Sequence, residues 1–256
     1  MIVDTHVHLT DNKFEDVDLI VKNYLEAGVE FVVNAGYDLP SSIGGKILAE
    51  KYESVYFAAG IHPSDSLTIK PNDYDVIEKL LTHKKAVALG EIGLDYHYDD
   101  KDISIQKKVF LEQAEIAYSH KLPIIIHSRD CTEDMLNIIK TNKKLFEGSV
   151  MHCYSGSVET AKILLGLGLY ISFSGTATFK NCRKLDEVAK IIPSDRILCE
   201  TDCPYLSPEP YRGRINEPKN VVLVLEKLAY YRNEKIEELA KNIKQNALNL
   251  FKKIGK

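Results

Sequence analysis

Two histidines one residue apart, His6 and His8, close the first apolar run of the chain, Met1-Ile2-Val3-Asp4-Thr5-His6-Val7-His8. Further short apolar runs end in Glu91 (AVALGEIG), His127 (PIIIHS), His152 (SVMHCYSG) and Asp202 (ILCETDCP). Side chains alternate faces along a strand, so the i, i+2 pair His6 and His8 projects to one side. Imidazole and carboxylate are donors that zinc, manganese, cobalt and nickel accept, and one carboxylate can bridge two ions. Six such groups exceed the needs of one tetrahedral ion with an open position. The residue types therefore point to a pair of metals and to hydrolysis.

The elements that must position these groups alternate strictly. Strand-like runs fall at 2–8, 31–36, 55–61, 86–91, 123–127, 149–153, 169–174 and 196–202. Most are apolar on both faces, as parallel strands covered by helices are. Between them run amphipathic helices. Val109, Phe110, Ala114 and Ala117 share one side of 104–119, and Val158, Ala161, Leu164 and Leu165 share one side of 158–166. The last two helices place Val221, Val224, Leu225 and Leu228, then Ile236, Leu239, Ile243 and Leu250, on their inner stripes. Pro218 suits a first helical turn, with Asn216 or Glu217 as caps. Eight strand–helix units without a Gly-, Ser- or Pro-rich linker predict an α/β fold. The expectation is a single (β/α)8 TIM barrel, one domain over residues 1–256, with its metal site at the C-terminal ends of the strands. A doubly wound sheet would carry a Gly-rich loop after its first strand, where this chain has His-Val-His.

Composition narrows the function classes. With 33 Lys and Arg against 37 Asp and Glu, the net charge is -4. That argues against a broad basic nucleic-acid face but allows an enzyme that grips a few phosphates. No apolar run approaches the roughly 20 residues that span a bilayer, and the N-terminus enters a strand at once instead of forming a signal peptide. The expectation is a soluble, cytoplasmic protein without membrane partners, and a monomer because no long apolar surface stripe stands out. Five cysteines (131, 153, 182, 199, 203) give an odd count without a repeated CxxC, which reads as reduced, mostly buried thiols. Cys153 and Cys203 each follow a candidate metal ligand, so on a strand each would face away from it.

The motifs D-T-H-V-H-L (4–9), G-I-H-P (60–63), G-E-I-G-L-D-Y (90–96), P-I-I-I-H-S-R (123–129), H-C-Y-S-G (152–156) and E-T-D-C-P-Y-L (200–206) occur in that order. Together they resemble the TatD family of metal-dependent deoxyribonucleases, within the amidohydrolase superfamily, over essentially the whole chain. The resemblance implies that His6, His8 and Asp202 hold one divalent cation, that His127 and His152 hold a second, and that Glu91 bridges the two. Many amidohydrolases bridge with a carboxylated lysine. Here Lys84 and Lys85 precede the fourth strand, at its wrong end.

His62 resembles the histidine of the family's GxHP motif, which faces substrate phosphate; packing on Pro63 is its structural alternative. Arg129, two positions after His127, shares its strand face and suits a bidentate phosphate contact or an ion pair with Asp130 or Glu133. The segment 210–218 resembles the family's RGK(R)NEP loop but carries Ile215 where a second basic residue often sits. Arg212 and Arg214 there are phosphate contacts or a solvated pair. His83 and His120 suit surface or helix-capping roles. His97, after the fourth strand, suits either a substrate contact or a packed loop.

The expected reaction is two-metal hydrolysis of a phosphodiester, with Asp202 orienting the attacking water and accepting its proton. His62 and Arg129 would add hydrogen bonds or positive charge where negative charge develops. The nitrogen-rich ligand set favours zinc or manganese, whereas the resemblance implies magnesium. It also implies DNA as substrate, cut from the 3′ end with single strands preferred, and RNA ends as a further possibility. Two alternatives stand beside this: a metal hydrolase of a small amide, lactone or phosphoester, and a weakly catalytic, metal-loaded binding scaffold.

Overall fold

A computed structural model describes residues 2–98, 102–182 and 184–255. Eight strands form one sheet in sequence order: β1 (Ile2–Val7), β2 (Val29–Ala35), β3 (Val55–Ala59), β4 (Ala86–Asp95), β5 (Ile124–Arg129), β6 (Val150–Met151), β7 (Tyr170–Phe173) and β8 (Ile197–Cys199). The strands pair in parallel, so each connection must cross over, and helices make the crossings. An isolated parallel bridge from Val7 to Cys203 ties the segment after β8 back to β1. The architecture is the expected (β/α)8 barrel. Among the described residues, no helix is long and apolar enough to cross a membrane.

The chain divides into two compact units, Met1–Asn34 with His152–Leu165 and Tyr170–Asn249, and Ala35–Met151 with Gly166–Leu169 and Leu250–Lys256. The first holds β1, β7, β8 and all but the last residue of β2. Its helices are α1 (Val17–Glu26), most of α7 (Val158–Gly166), α8 (Leu185–Ile191), α9 (Val221–Arg232) and nearly all of α10 (Ile236–Leu250). Asp16 starts α1 by accepting the Leu19 N–H at 3.0 Å. The stripe Val221, Val224, Leu225 and Leu228 is buried, as are Leu239, Ile243 and Leu250. Ile236 departs from the expected stripe and is 41 % exposed. It is the first residue of α10, one turn before the packed positions begin.

The second unit holds β3 to β6 with α2 (Leu39–Lys51), α3 (Pro71–Leu81), α4 (Ile103–Ser119), α5 (Thr132–Thr141) and α6 (Lys143–Phe146). Asp38 and Ser41 cap α2 reciprocally, and Asp102 caps α4 through the Ser104 and Ile105 N–H groups. Phe57, Ile77, Leu89, Phe110 and Phe146 fill its core. The Lys85 ammonium closes the far end of α2 by donating to the Ala49, Tyr52 and Val55 carbonyls at 2.8, 2.7 and 3.3 Å. Those are carbonyls that a helix end and its exit loop leave without helical donors.

Strand lengths differ from the sequence expectation in an instructive way. The sixth and eighth strands are short, so His152 and Asp202 lie beyond them. The fourth is longer, running four residues past Glu91 to Asp95 with every residue buried. Its register against β5 shifts between Leu89 and Ile92, so Glu91 sits in an irregularity of the strand and not at its end. Gly90 (φ 154) and Gly93 (φ 153) supply backbone conformations that side chains disfavour. A Cβ at Gly93 would also collide with the His127 carbonyl oxygen across the β4–β5 ladder.

Candidate metal centre

In the first unit, three imidazoles and a carboxylate converge. His6 lies on β1 with no exposed surface, and His8 is one residue beyond its end. Their Nε2 atoms stand 3.1 Å apart. The His8 Nε2 is 3.2 Å and the His6 Nε2 3.7 Å from Asp202 Oδ1. The His152 ring stacks on His6 at 4.2 Å between centroids, and His6, His152 and Asp202 offer ligand atoms all within 4.8 Å of one another.

Asp202 reaches this position by a route that strand alternation does not describe. It lies three residues past β8 in the left-handed region, φ 57. Its N–H donates to the His6 carbonyl at 3.0 Å, and the His8 N–H donates to the Cys203 carbonyl at 2.8 Å. Behind them, buried Asp4 accepts the Thr201 N–H at 3.0 Å, the Thr201 hydroxyl at 2.6 Å and the His6 N–H at 3.3 Å. Burial pushes the Asp4 carboxyl well above the usual range, against the pull of those bonds. Burial would raise Asp202 too, but the His8 hydrogen bond and the fields of His6, His8 and His152 hold it below the ordinary value.

In the second unit, His127 on β5 places Nδ1 2.7 Å from Glu91 Oε1 and Nε2 3.0 Å from Asp95 Oδ2. The His62 ring packs against His127 at 4.3 Å, with its Nε2 3.8 Å from Glu91 Oε1. His62, Asp95 and His127 form a second group of ligand atoms within 4.8 Å of one another. His62 sits at the start of the turn that Pro63 opens. It caps the turn at Pro63 by accepting the Ser64 N–H at 3.1 Å, and it points the far edge of its ring into this group.

Two carboxylates went unnoticed in the sequence. Asp95 holds the second nitrogen of His127. Glu200, fully buried, lies 3.1 Å from His152 Nδ1 and accepts the Cys153 N–H at 2.7 Å and the Ser172 hydroxyl at 2.5 Å. Carboxylates in this place orient an imidazole ligand and raise its basicity. Parity would have found Asp95, since positions 91, 93 and 95 share a face once the strand is continued. Glu200 stands two residues before Asp202 in the ETD motif.

The cationic candidates divide. Arg129 is exposed, its guanidinium over the Tyr98 ring at 5.7 Å, while Asp130 is taken up by His97 at 3.2 Å. Arg212 covers Phe179 at 4.3 Å and Arg214 lies 5.9 Å from the Tyr211 ring, both exposed. Asn216 is neither a helix cap nor a surface residue. Its buried amide donates to the Thr201 and Tyr205 carbonyls at 3.0 and 2.8 Å, which fastens the segment carrying Asp202. Pro218 opens a short 3-10 turn before α9, with Glu217 in front of it but no side-chain cap. His120 caps the C-terminal end of α4. All five cysteines are free thiols. Cys153 lies against Ser174 at 2.9 Å, and burial pushes its thiol up to about 12.

The donor chemistry fits divalent cations. Imidazole nitrogens and carboxylate oxygens gathered this closely are the set that zinc or manganese accepts.

Comparisons with known proteins agree with the geometry. A family model described as TatD related DNase matches residues 3–252. The chain is 42% identical over 253 residues to "Uncharacterized metal-dependent hydrolase YabD" of Bacillus subtilis, covering 98% of this chain and 99% of that one. It is 31% identical over 254 residues to "3'-5' ssDNA/RNA exonuclease TatD" of Shigella flexneri, covering 97% and 98%. The crystal structure of the TatD homolog YJJV from Escherichia coli superposes with a TM-score of 0.93 at 29% identity, covering 98% of each chain. A fold, a gathered ligand set and a whole-length family match coincide, and the chain belongs to the TatD family of metal-dependent hydrolases.

Proposed function

We propose that this hydrolase cuts phosphodiester bonds of DNA, removing nucleotides from the 3′ end of single strands, with RNA ends as a second substrate. The observation that carries the reading is the convergence of His6, His8 and Asp202, with nitrogen–nitrogen and nitrogen–oxygen separations of 3.1, 3.2 and 3.7 Å. Family membership and the name of the Shigella relative, a single-strand exonuclease, supply the substrate class.

His6, His8 and Asp202 would hold one cation, His127 and His152 a second, and Glu91 both. Cations so held would supply Lewis acidity toward phosphate oxygens and acidify a bound water. Asp202, kept a carboxylate by its imidazole neighbours and fixed through its backbone, accepts the proton of the attacking water. His62, steadied by Ser64, offers a ring nitrogen to a phosphate oxygen. Arg129, Arg212 and Arg214, exposed and each lying against an aromatic ring, bind the flanking phosphates.

A gel assay of end-labelled single-stranded DNA and RNA with magnesium, manganese or zinc tests this. A 5′-labelled strand shortening stepwise supports the reading; hydrolysis of simple amides alone overturns it. Glu91→Ala or Asp202→Ala should abolish turnover, and Arg129→Ala should cost far less.

A further inference from the structure

Beside His62 and His127 lies a cavity of about 280 Å³ that the hydrolytic groups do not use. It opens between the turn after β3, Tyr98 beyond the end of β4 and the first turns of α4, on the strand-end face where barrel enzymes bind substrate. Two of its wall residues touch the site directly. Ser64 is 2.8 Å from His62 Nδ1, and Asp95 is 3.0 Å from His127 Nε2. Its size sits at the lower edge of ligand pockets, roughly 300–1,000 Å³, which suits one nucleoside and excludes a duplex.

The wall chemistry selects among the parts of a nucleotide. Asp102 contributes a partly exposed carboxylate and Ser64 a hydroxyl, Asp95 has its oxygens against His127 and the His97 N–H, and among the described residues of the wall none is cationic. Gln106 has its amide committed to the Asp95 backbone, accepting the N–H and donating to the carbonyl at 2.9 Å each, so it stiffens the floor. Such a surface repels phosphate and accepts N–H and O–H donors. Tyr98 and Leu67, 53 and 54 % exposed, add an aromatic and an aliphatic face. Arg129 lies over the Tyr98 ring, so a cation that can take the phosphate stands at the cavity's edge.

We propose that this cavity takes the unpaired terminal nucleoside of the strand being cut, its base against Tyr98 and Leu67 and its hydrogen-bond donors toward Asp102. The assignment rests on the phosphodiesterase reading and deepens it. The site recognises an end by housing one unstacked base, a sequence-tolerant grip because every base has a flat face.

The test is a cycle of protein and substrate changes. kcat/KM is measured for wild type, Tyr98→Ala and Leu67→Ala on a single-stranded oligonucleotide with an intact or an abasic 3′-terminal residue. Bis-p-nitrophenyl phosphate is given to wild type in parallel. On the intact end, each substitution should cost about tenfold, carried mainly by KM, the scale of one stacked base. Removal of the terminal base should cost wild type a similar factor, and the two losses should not add. Full additivity, or no loss in either variant, overturns the cavity assignment while leaving phosphodiester cleavage intact. A wild type that cuts neither substrate overturns the phosphodiesterase reading, and the cavity assignment with it.

Discussion

Replacing Glu200 separates what a buried carboxylate does for its neighbours from what it does for a metal. Its Oε1 faces His152 Nδ1 at 3.1 Å and the Cys153 N–H at 2.7 Å, and its Oε2 takes the Ser172 hydroxyl at 2.5 Å. In Glu200→Gln the amide oxygen can stay with His152 and Cys153 while the amide nitrogen faces Ser172. The Ser172 hydroxyl can then turn toward Thr5, 3.5 Å away. The three original donors keep an acceptor, so the main stability cost is the gap between hydrogen bonds to a carboxylate and to a neutral oxygen, about 1–2 kcal/mol. Glu200→Ala strands three buried donors and should cost about 3–5 kcal/mol. Metal binding should respond more sharply to the conservative change. Losing the carboxylate behind an imidazole ligand weakens affinity roughly 10–100-fold, or about 1.4–2.7 kcal/mol. Calorimetric titration of the metal-free variants with Mn²⁺, alongside urea unfolding, reads both quantities. A Glu200→Gln protein that binds Mn²⁺ as tightly as wild type would refute the claim that Glu200 tunes His152.

Three further outcomes follow from other parts of the molecule. Gly93→Ala forces β4 away from the His127 carbonyl, so it should lower stability by about 1–3 kcal/mol and weaken metal binding with it, read by the same titration. His83 is held below its ordinary value by burial, so the unfolded chain takes up a proton there before the folded one. Stability should therefore fall as the pH drops below about 6.5, and urea unfolding of His83→Gln should show a shallower fall over that window. Lys85→Met leaves the carbonyls at the exit of α2 without their donor and should cost about 2–4 kcal/mol, seen as a lowered urea midpoint at unchanged slope.

The gathered imidazoles and carboxylates were legible because few residue types carry such donors, and the C-terminal side of the strands is where a parallel barrel collects them. His6 and His8 followed from a two-residue spacing, and His127 and His152 from the apolar runs before them. The supporting groups were less legible for physical reasons. Asp95 and Glu200 lie on or just past buried strands, where single-sequence patterning sees only a carboxylate near a motif. Glu91 reads as a strand end, yet it sits in an irregularity made possible by Gly90 and Gly93, and such kinks leave no trace in hydrophobic periodicity. Asp202 lies where a tight backbone turn sets the direction of the side chain, which alternation does not predict. The helices were readable wherever an apolar stripe met a core, as at Val221 to Leu228, and misread at Ile236, where the stripe begins one turn late.

Equilibrium titration of the metal-free protein with Mn²⁺ weighs most directly on the pairing of cations. Wild type should take up two ions per chain, and Asp202→Ala, which removes a ligand from only one proposed position, should keep one. A wild-type protein that saturates at a single ion, or an Asp202→Ala protein that still binds two with unchanged affinity, would contradict the dinuclear assignment.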